Sequence, residues 1–350
     1  MITMRCPYDV GAIVHTKKSG DSYQLLCRLG DGASAFVFEA AHLRTGERVA
    51  LKLLRQSVSA PRMERECVPL QALAHSSIVR LLDFGFTRDD HQMPYVVMPL
   101  LRGAPLRTVL DGQPPLGVER AVDYGSELFA ALAHAHAARL LHGDVRPANI
   151  FVERLAPLVH GVVLMDFALP STLGEDFPPT RRAMGDPRYA APELFYGHAP
   201  SIATDLYAAG LVLFEMVTGT HALGAASHDW GYTHYFAPAP PLLALEPAAP
   251  AALVALLASL LAKQPRERPS SAGACVEALS AIQRDLLVPG HNPTTEDGVD
   301  SMLKRIAGPD SGEITEVDPP PPSLLREASD ADDTDECAPP TSSSWPISTR

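Results

Sequence analysis

The chain has only five cysteines among 350 residues: Cys6, Cys27, Cys67, Cys275 and Cys337. They are odd in number and scattered, with no C-x-x-C pair. That argues against a disulfide framework or a zinc site and suits a reducing, cytoplasmic setting. No signal-peptide pattern opens the sequence. The longest apolar stretches, near Leu211 and Val254, fall short of the roughly 18 residues a membrane span needs. Both read as buried core helices. A basic face of the kind that binds nucleic acid is also missing. From residue 289 onward, 13 acidic residues against 4 basic ones carry −9 of the total charge of −12, leaving −3 for the preceding 288. The acidity therefore belongs to the tail. Charged residues are only 20% and hydrophobic residues 46%, a globular profile rather than that of a coiled coil or a disordered chain.

What is present changes character along the chain. Residues 1–22 form a short extension without clear periodicity. Residues 23–100 read as strands with one helix, and 101–288 as mainly helical. At Pro289 the composition turns to Pro, Ser, Thr, Asp and Glu. The run Pro319 to Pro322 and the cluster Asp330 to Glu336 cannot bury enough apolar area to offset the entropy of ordering. Residues 289–350 are therefore expected to be an acidic, disordered tail.

The first half holds three features that suit phosphate. Leu29, Gly30, Asp31 and Gly32 approximate a glycine-rich loop, with Ala35 where a third glycine would fall. Glycines let backbone N–H groups approach phosphate oxygens. Phe36-Val37-Phe38 reads as a second strand, so the loop joins two strands; a dinucleotide site would need a helix there. In Val49-Ala50-Leu51-Lys52-Leu53, alternation puts Ala50 and Lys52 on one face. A lysine on an apolar strand is costly unless paired. It either reaches water from an edge or meets phosphate while a carboxylate holds it. The helix expected over Met63 to Leu73 offers Glu66, with Glu64 as its rival, and Pro69 is expected to kink or shorten it.

The second half is more specific. His142-Gly143-Asp144-Val145-Arg146-Pro147-Ala148-Asn149 runs into the strand Ile150-Phe151-Val152. Phosphoryl transfer needs a carboxylate to orient the acceptor hydroxyl and oxygen ligands for magnesium, and Asp144 and Asn149 are side chains of those types. Asp166 ends the apolar run Val162 to Met165, where a carboxylate needs a cation nearby.

With these motifs the chain resembles the eukaryotic-type (Hanks-type) serine/threonine protein kinases. The resemblance implies an α+β, two-lobed fold. A small antiparallel β-sheet lobe with one helix would span 23–100, and a larger, mainly helical lobe 101–288. It implies ATP and Mg2+ as cofactors. Lys52 would bind the α and β phosphates and pair with Glu66. Leu29, Gly30, Gly32, Val37, Ala50 and Phe151 would border the nucleotide. Met98 would lie behind the adenine, and the Pro99 carbonyl and Leu101 N–H would contact it. Asp144 would be the catalytic base with Arg146 beside it, and Asn149 and Asp166 the metal ligands. Gly185 to Glu193, with Ala191-Pro192-Glu193, resembles the end of an activation segment. Asp205 would open the central helix and support the catalytic loop, and Arg268 would pair with Glu193. The implied reaction moves the γ-phosphoryl group of ATP to a Ser or Thr hydroxyl of a protein substrate. Thr294, Thr295, Thr315 and Thr334 are candidates for autophosphorylation.

Departures from the family pattern carry their own expectations. Gly143 replaces the arginine that pairs with a phosphorylated loop, so activity should not depend on phosphorylation of Ser171, Thr172 or Thr180. Ala168 replaces the glycine of Asp-Phe-Gly and should restrict that segment. Arg146 replaces a lysine and Asp186 a threonine, and the two are expected to compensate by pairing. Two other functions stay open. One is a nucleotide-binding pseudokinase or scaffold, toward which Ala35, Gly143 and Ala168 tilt. The other is a small-molecule phosphotransferase of the aminoglycoside-kinase type, which also carries His-Gly-Asp. His134 and His136 do not share a helix face, which speaks against a metal site, and His142 is expected beneath the catalytic loop. The Pro- and Ala-rich stretch 221–250 reads as irregular and as part of a docking surface.

Overall fold

The computed structural model describes residues 5–32, 34–55, 58–111, 114–156, 159–167, 185–224 and 229–287. Ala168, the three loop hydroxyl residues and the acidic tail lie outside them.

Alternating apolar residues build the small lobe. Strands β1 (Ile13–His15), β2 (Ser22–Asp31), β3 (Ala35–His42), β4 (Arg48–Leu54), β5 (Asp83–Phe86) and β6 (Pro94–Pro99) form one antiparallel sheet in the order β1-β2-β3-β4-β6-β5. Phe38, Leu51 and Val97 are in register and buried on one face. One residue away, Val37 stands opposite Lys52, and Ala50 opposite Met98. The period of two therefore sends one set into the core and the other to the opposite face.

β1 lies inside the segment read as a patternless extension; three residues are too few for periodicity to announce a strand. It also brings the sheet's two edges together. Thr16 bridges Thr87, the Lys17 N–H donates to Phe86 O (2.9 Å), and the Arg88 N–H donates to His15 O (2.8 Å). Both open edges are thereby shortened. Helix α1 (Ala60–Gln71) packs Met63 and Cys67 against Phe84 and Val96 of the sheet. Pro69 sits in its last turn, where its missing N–H leaves the Arg65 carbonyl without an intrahelical bond, and the helix ends two residues later.

The large lobe begins with β7 (Gly103–Pro105), α2 (Leu106–Leu110) and α3 (Val118–Ala137), followed by β8 (Ile150–Ala156) and β9 (Val159–Leu164), which form a three-stranded sheet with β7. Helices α4 (Pro192–Phe195), α5 (Ile202–Thr218), α6 (Trp230–Phe236), α7 (Leu242–Leu245), α8 (Ala251–Leu260) and α9 (Ala272–Leu286) follow. α5 is buried from Thr204 to Val217, as a helix apolar on all sides should be. The stretch 221–250 is not wholly irregular. Asp229 caps α6 by accepting the Tyr232 N–H at 2.9 Å, a local signal hidden by the flanking prolines and alanines. Among the described residues no helix is long and apolar enough to cross a membrane.

Candidate active site

The loop after α3 carries the densest chemistry, and a buried carboxylate organises it. Asp205, at the start of α5, accepts the N–H groups of His142 and Gly143 (both 2.8 Å) and Nε2–H of His136 (2.9 Å). Gly143 has φ +74°, a backbone conformation that costs any residue with a Cβ. Its lack of a side chain thus has a local, conformational reason. His142 lies beneath the loop as expected: it is fully buried, donates Nε2–H to Met165 O (2.8 Å) and accepts the Asp144 N–H (3.2 Å). Phe167 packs on its ring, centroids 4.7 Å apart.

Asp144 and Asn149 are brought together. Asn149 Nδ2 donates to the Asp144 carbonyl (2.8 Å) and to its Oδ2 (2.7 Å). Both amide hydrogens are used, which leaves Asn149 Oδ1 as an oxygen donor. On the other side, Lys52 Nζ meets Asp166 Oδ1 at 2.8 Å. Burial disfavours the Asp166 charge, but the Lys52 ammonium outweighs it and holds the carboxyl below its ordinary range, with His142 and Arg146 adding to the effect. Asp166 has φ +53°, a left-handed conformation that Asp tolerates better than most residues.

The expected Lys52–Glu66 pair is not formed. Glu66 Oε1 is held instead by Arg62 Nε at 2.9 Å, one turn earlier on α1, and Glu66 Oε2 is buried without a hydrogen-bond partner. An i,i+4 partner needs no movement of the helix toward the sheet, and Asp166 already satisfies Lys52.

The nucleotide-bordering residues divide. Val37, Ala50, Lys52 and Met98 share one face of neighbouring strands. Pro99 ends β6, Leu101 lies in the link to β7, and Phe151 is half-buried on β8 opposite Pro105. Leu29 is exposed on β2, and Gly30 stands opposite Val37. Neither Gly30 nor Gly32 has positive φ, and an added Cβ would meet only ordinary contacts at 3.9 and 3.8 Å. Nothing within the fold demands glycine at either place; only a ligand close to the backbone would.

Gly185 is different. It has φ +58°, and a Cβ there would fall 2.4 Å from Asp144 Oδ1. Composition gave no sign of this close approach. The next residue completes the site. The Asp186 N–H donates to Asp144 Oδ1 (3.3 Å), and its carboxylate accepts Arg146 Nη1 (3.2 Å) and Arg188 Nη2 (2.7 Å). Arg146 Nε also faces Asp144 Oδ2 at 3.2 Å. Burial opposes the Asp186 charge, but the Arg188 hydrogen bonds, reinforced by Arg146, hold its carboxyl below the usual range. The pairing expected of Arg146 and Asp186 is therefore present, with Arg188 as a third member that the motif reading missed.

This arrangement makes a double-substitution prediction. Asp186→Thr alone is expected to impair turnover, because Arg146 loses its anchor beside the base. Adding Arg146→Lys should recover most of the loss, giving a coupling of about 0.5–3 kcal/mol, the range for residues in contact. Rate effects that simply add would refute the coupling.

Beneath the loop, Arg268 and Glu193 form the predicted pair with two parallel bonds of 2.8 Å. Tyr189 O–H donates to Glu215 Oε2 (2.7 Å), and Arg107 Nη1 donates to the other oxygen (2.7 Å).

Comparison with known proteins agrees with this geometry. The protein kinase domain family matches residues 23–280. The chain is 31% identical over 287 residues to the serine/threonine-protein kinase PknA of Mycobacterium tuberculosis, covering 79% of this chain and 64% of that one. It is 29% identical over 301 residues to Pkn1 of Myxococcus xanthus, covering 83% and 42%. Similarity to serine/threonine-protein kinase A of Synechocystis sp. is 30% over 294 residues, covering 79% and 56%. The chain thus spans less than two thirds of each of these relatives. A crystal structure of Rad53 1-466 in complex with AMP-PNP superposes with a TM-score of 0.60 at 24% identity, over 75% of this chain and 65% of that one, a likeness of fold. Two lobes, the loop around Asp144 and a match over most of its length place this chain in the protein kinase domain family.

Proposed function

We propose that this chain is a serine/threonine protein kinase domain that transfers the γ-phosphoryl group of ATP to protein hydroxyls, with Asp144 as the base. The observation that carries the reading is the pairing of two assemblies: Asp144 bound to Asn149 at 2.7 Å, and Lys52 bound to Asp166 at 2.8 Å. Phosphoryl transfer is mostly positioning and charge stabilisation, and these residues provide both. Asp144 accepts the proton of the acceptor hydroxyl. Lys52 is placed for phosphate oxygens, and Arg146 lies beside the base for charge developing there. Val37, Ala50, Met98, Pro99 and Leu101 frame the adenine.

The donor set suits magnesium. Asn149 Oδ1 and the Asp166 carboxylate are hard oxygen ligands. Among the described residues no three His, Cys, Asp or Glu side chains gather around a common point. That fits a cation held by one or two side chains plus phosphates rather than by an all-protein cage. Bound there, the cation neutralises phosphate charge.

Gly143 offers no side chain to a phosphorylated loop, so the reading includes transfer by unphosphorylated protein. Phosphatase-treated protein given labelled ATP, magnesium and a generic protein acceptor should incorporate label on Ser or Thr. Nucleotide binding without incorporation would favour the pseudokinase reading. Label on a small-molecule acceptor alone would favour the aminoglycoside-kinase type.

One observation bears on how active the resting protein is. Glu66 is engaged by Arg62 rather than by Lys52. Arg62→Ala removes that competing cation and is expected to raise kcat by about threefold to tenfold as Glu66 turns to Lys52. An unchanged or lower kcat would assign the Arg62 pair to stability alone.

A further inference from the structure

Two histidines outside the catalytic loop, His234 buried and His221 half-buried, grip the segment next to the base. His234, on α6, is fully buried, and its Nε2 lies 2.9 Å from Pro187 O. His221, in the turn after α5, places its Nε2 2.9 Å from Arg188 O. Carbonyl oxygens only accept, so each Nε2 carries the proton. The opposite ring nitrogens agree: His234 Nδ1 accepts from the Tyr207 hydroxyl (2.9 Å), and His221 Nδ1 accepts the Leu223 N–H (3.2 Å). Burial pushes His234 down to about 3 and also lowers His221, so both rings are neutral near pH 7 with one donor each. Ring packing fixes their directions. His221 stands edge-on to Tyr189 and Trp230, with centroids at 5.1 and 5.8 Å. His234 stacks on Phe195 at 5.6 Å.

We propose that His221 and His234 are positioning residues for phosphoryl transfer: their Nε2–H groups bind two successive carbonyls and hold the loop 185–189 against Asp144. The inference rests on the kinase reading and deepens it. The same short loop is bound on both sides. Its inward carbonyls go to the two histidines. Its Gly185–Asp186 backbone meets Asp144, and the Asp186 carboxylate anchors Arg146. Without these donors the Pro187 and Arg188 carbonyls would each lose a hydrogen bond that ties the loop to the large lobe. Releasing them lets the loop drift, and Asp186 moves with it, so the base and Arg146 lose their alignment while the nucleotide-facing strands are untouched. Small displacements of reacting groups are costly in rate.

Three measurements on the full chain test this: kcat and KM with casein, affinity for a fluorescent ATP analogue, and hydrogen exchange of the amides in 185–191. His221→Phe keeps a ring but loses the donor. It should lower kcat about threefold to tenfold, the scale of one lost hydrogen bond. Nucleotide affinity should be unchanged and exchange in 185–191 faster. His221→Gln keeps an N–H donor and should recover most of both changes. His234→Gln against His234→Phe should repeat the pattern at the second carbonyl. Wild-type exchange and kcat in His221→Phe would overturn the proposal. So would a joint loss of nucleotide affinity and activity that the Gln variant does not relieve. A wild-type chain that transfers no phosphate would sink the kinase reading instead, and exchange in 185–191 would still decide this one.

Discussion

Replacing Asp144 with Asn should lower phosphoryl transfer by about 10²- to 10⁴-fold, the range for losing a positioned general base. The carboxylate accepts Asn149 Nδ2–H at 2.7 Å on one oxygen and the Asp186 N–H at 3.3 Å on the other, and the Arg146 guanidinium stands 3.2 Å away as an ion-pair partner without a hydrogen bond through Nε. Every neighbour is a donor or a cation. An amide cannot satisfy them all, since its NH₂ must face one of them. It also cannot take a proton from an acceptor hydroxyl. Nothing in this set touches the strands that carry Lys52, Ala50 or Met98, so ATP-analogue affinity should shift by no more than about twofold, and the loss should fall on kcat. Steady-state kinetics beside nucleotide titration separates the two. A variant within about tenfold of wild-type kcat would remove Asp144 from the role of base.

Arg268→Ala is expected to cost about 3–5 kcal/mol of folding stability, the range for breaking a buried ion pair from one side. That is a large part of the roughly 5–15 kcal/mol a domain has. Arg268 is 2% exposed and Glu193 3%. The guanidinium binds both carboxylate oxygens and also donates to the carbonyls of Ala262, Ala203 and Lys263. Its face lies 4.7 Å from the Tyr207 ring centroid. Removing it strands a charge and three carbonyls in the interior, and among the described residues the Thr204 hydroxyl (3.1 Å) is the side-chain partner left to Glu193. Denaturant titration of both proteins measures the difference. A loss below about 1 kcal/mol, the scale of an exposed pair, would contradict the buried geometry. Replacing both partners with apolar residues should be milder than Arg268→Ala, because no lone charge remains.

These two predictions differ in where their evidence came from. Asp144 stood out through a local motif: a carboxylate and an amide five residues apart, closed by an apolar strand, match the spacing that the family resemblance implies. Arg268–Glu193 lay 75 residues apart, and only family resemblance joined them. The structure then supplied what makes the pair matter, its burial and its three extra carbonyls. Gly143 was read by what its side chain lacks, whereas the structure adds a backbone reason in its positive φ.

The sequence by itself determined the strand alternation that puts Ala50 and Lys52 on one face, the wholly apolar α5, and the loop holding Asp144 and Asn149. All of these are local, set by a period of two, by composition around a helix, or by a five-residue spacing. Arg146–Asp186 and Arg268–Glu193 were expected and formed, but tertiary structure alone decided the other partners. Glu66 went to Arg62, and Lys52 to Asp166. Arg188 joined Arg146 on Asp186, and two histidines from a stretch read as irregular reached the carbonyls beside the base. A carboxylate's nearest cation depends on the placement of whole elements to within a few ångströms, and residue order does not record that distance.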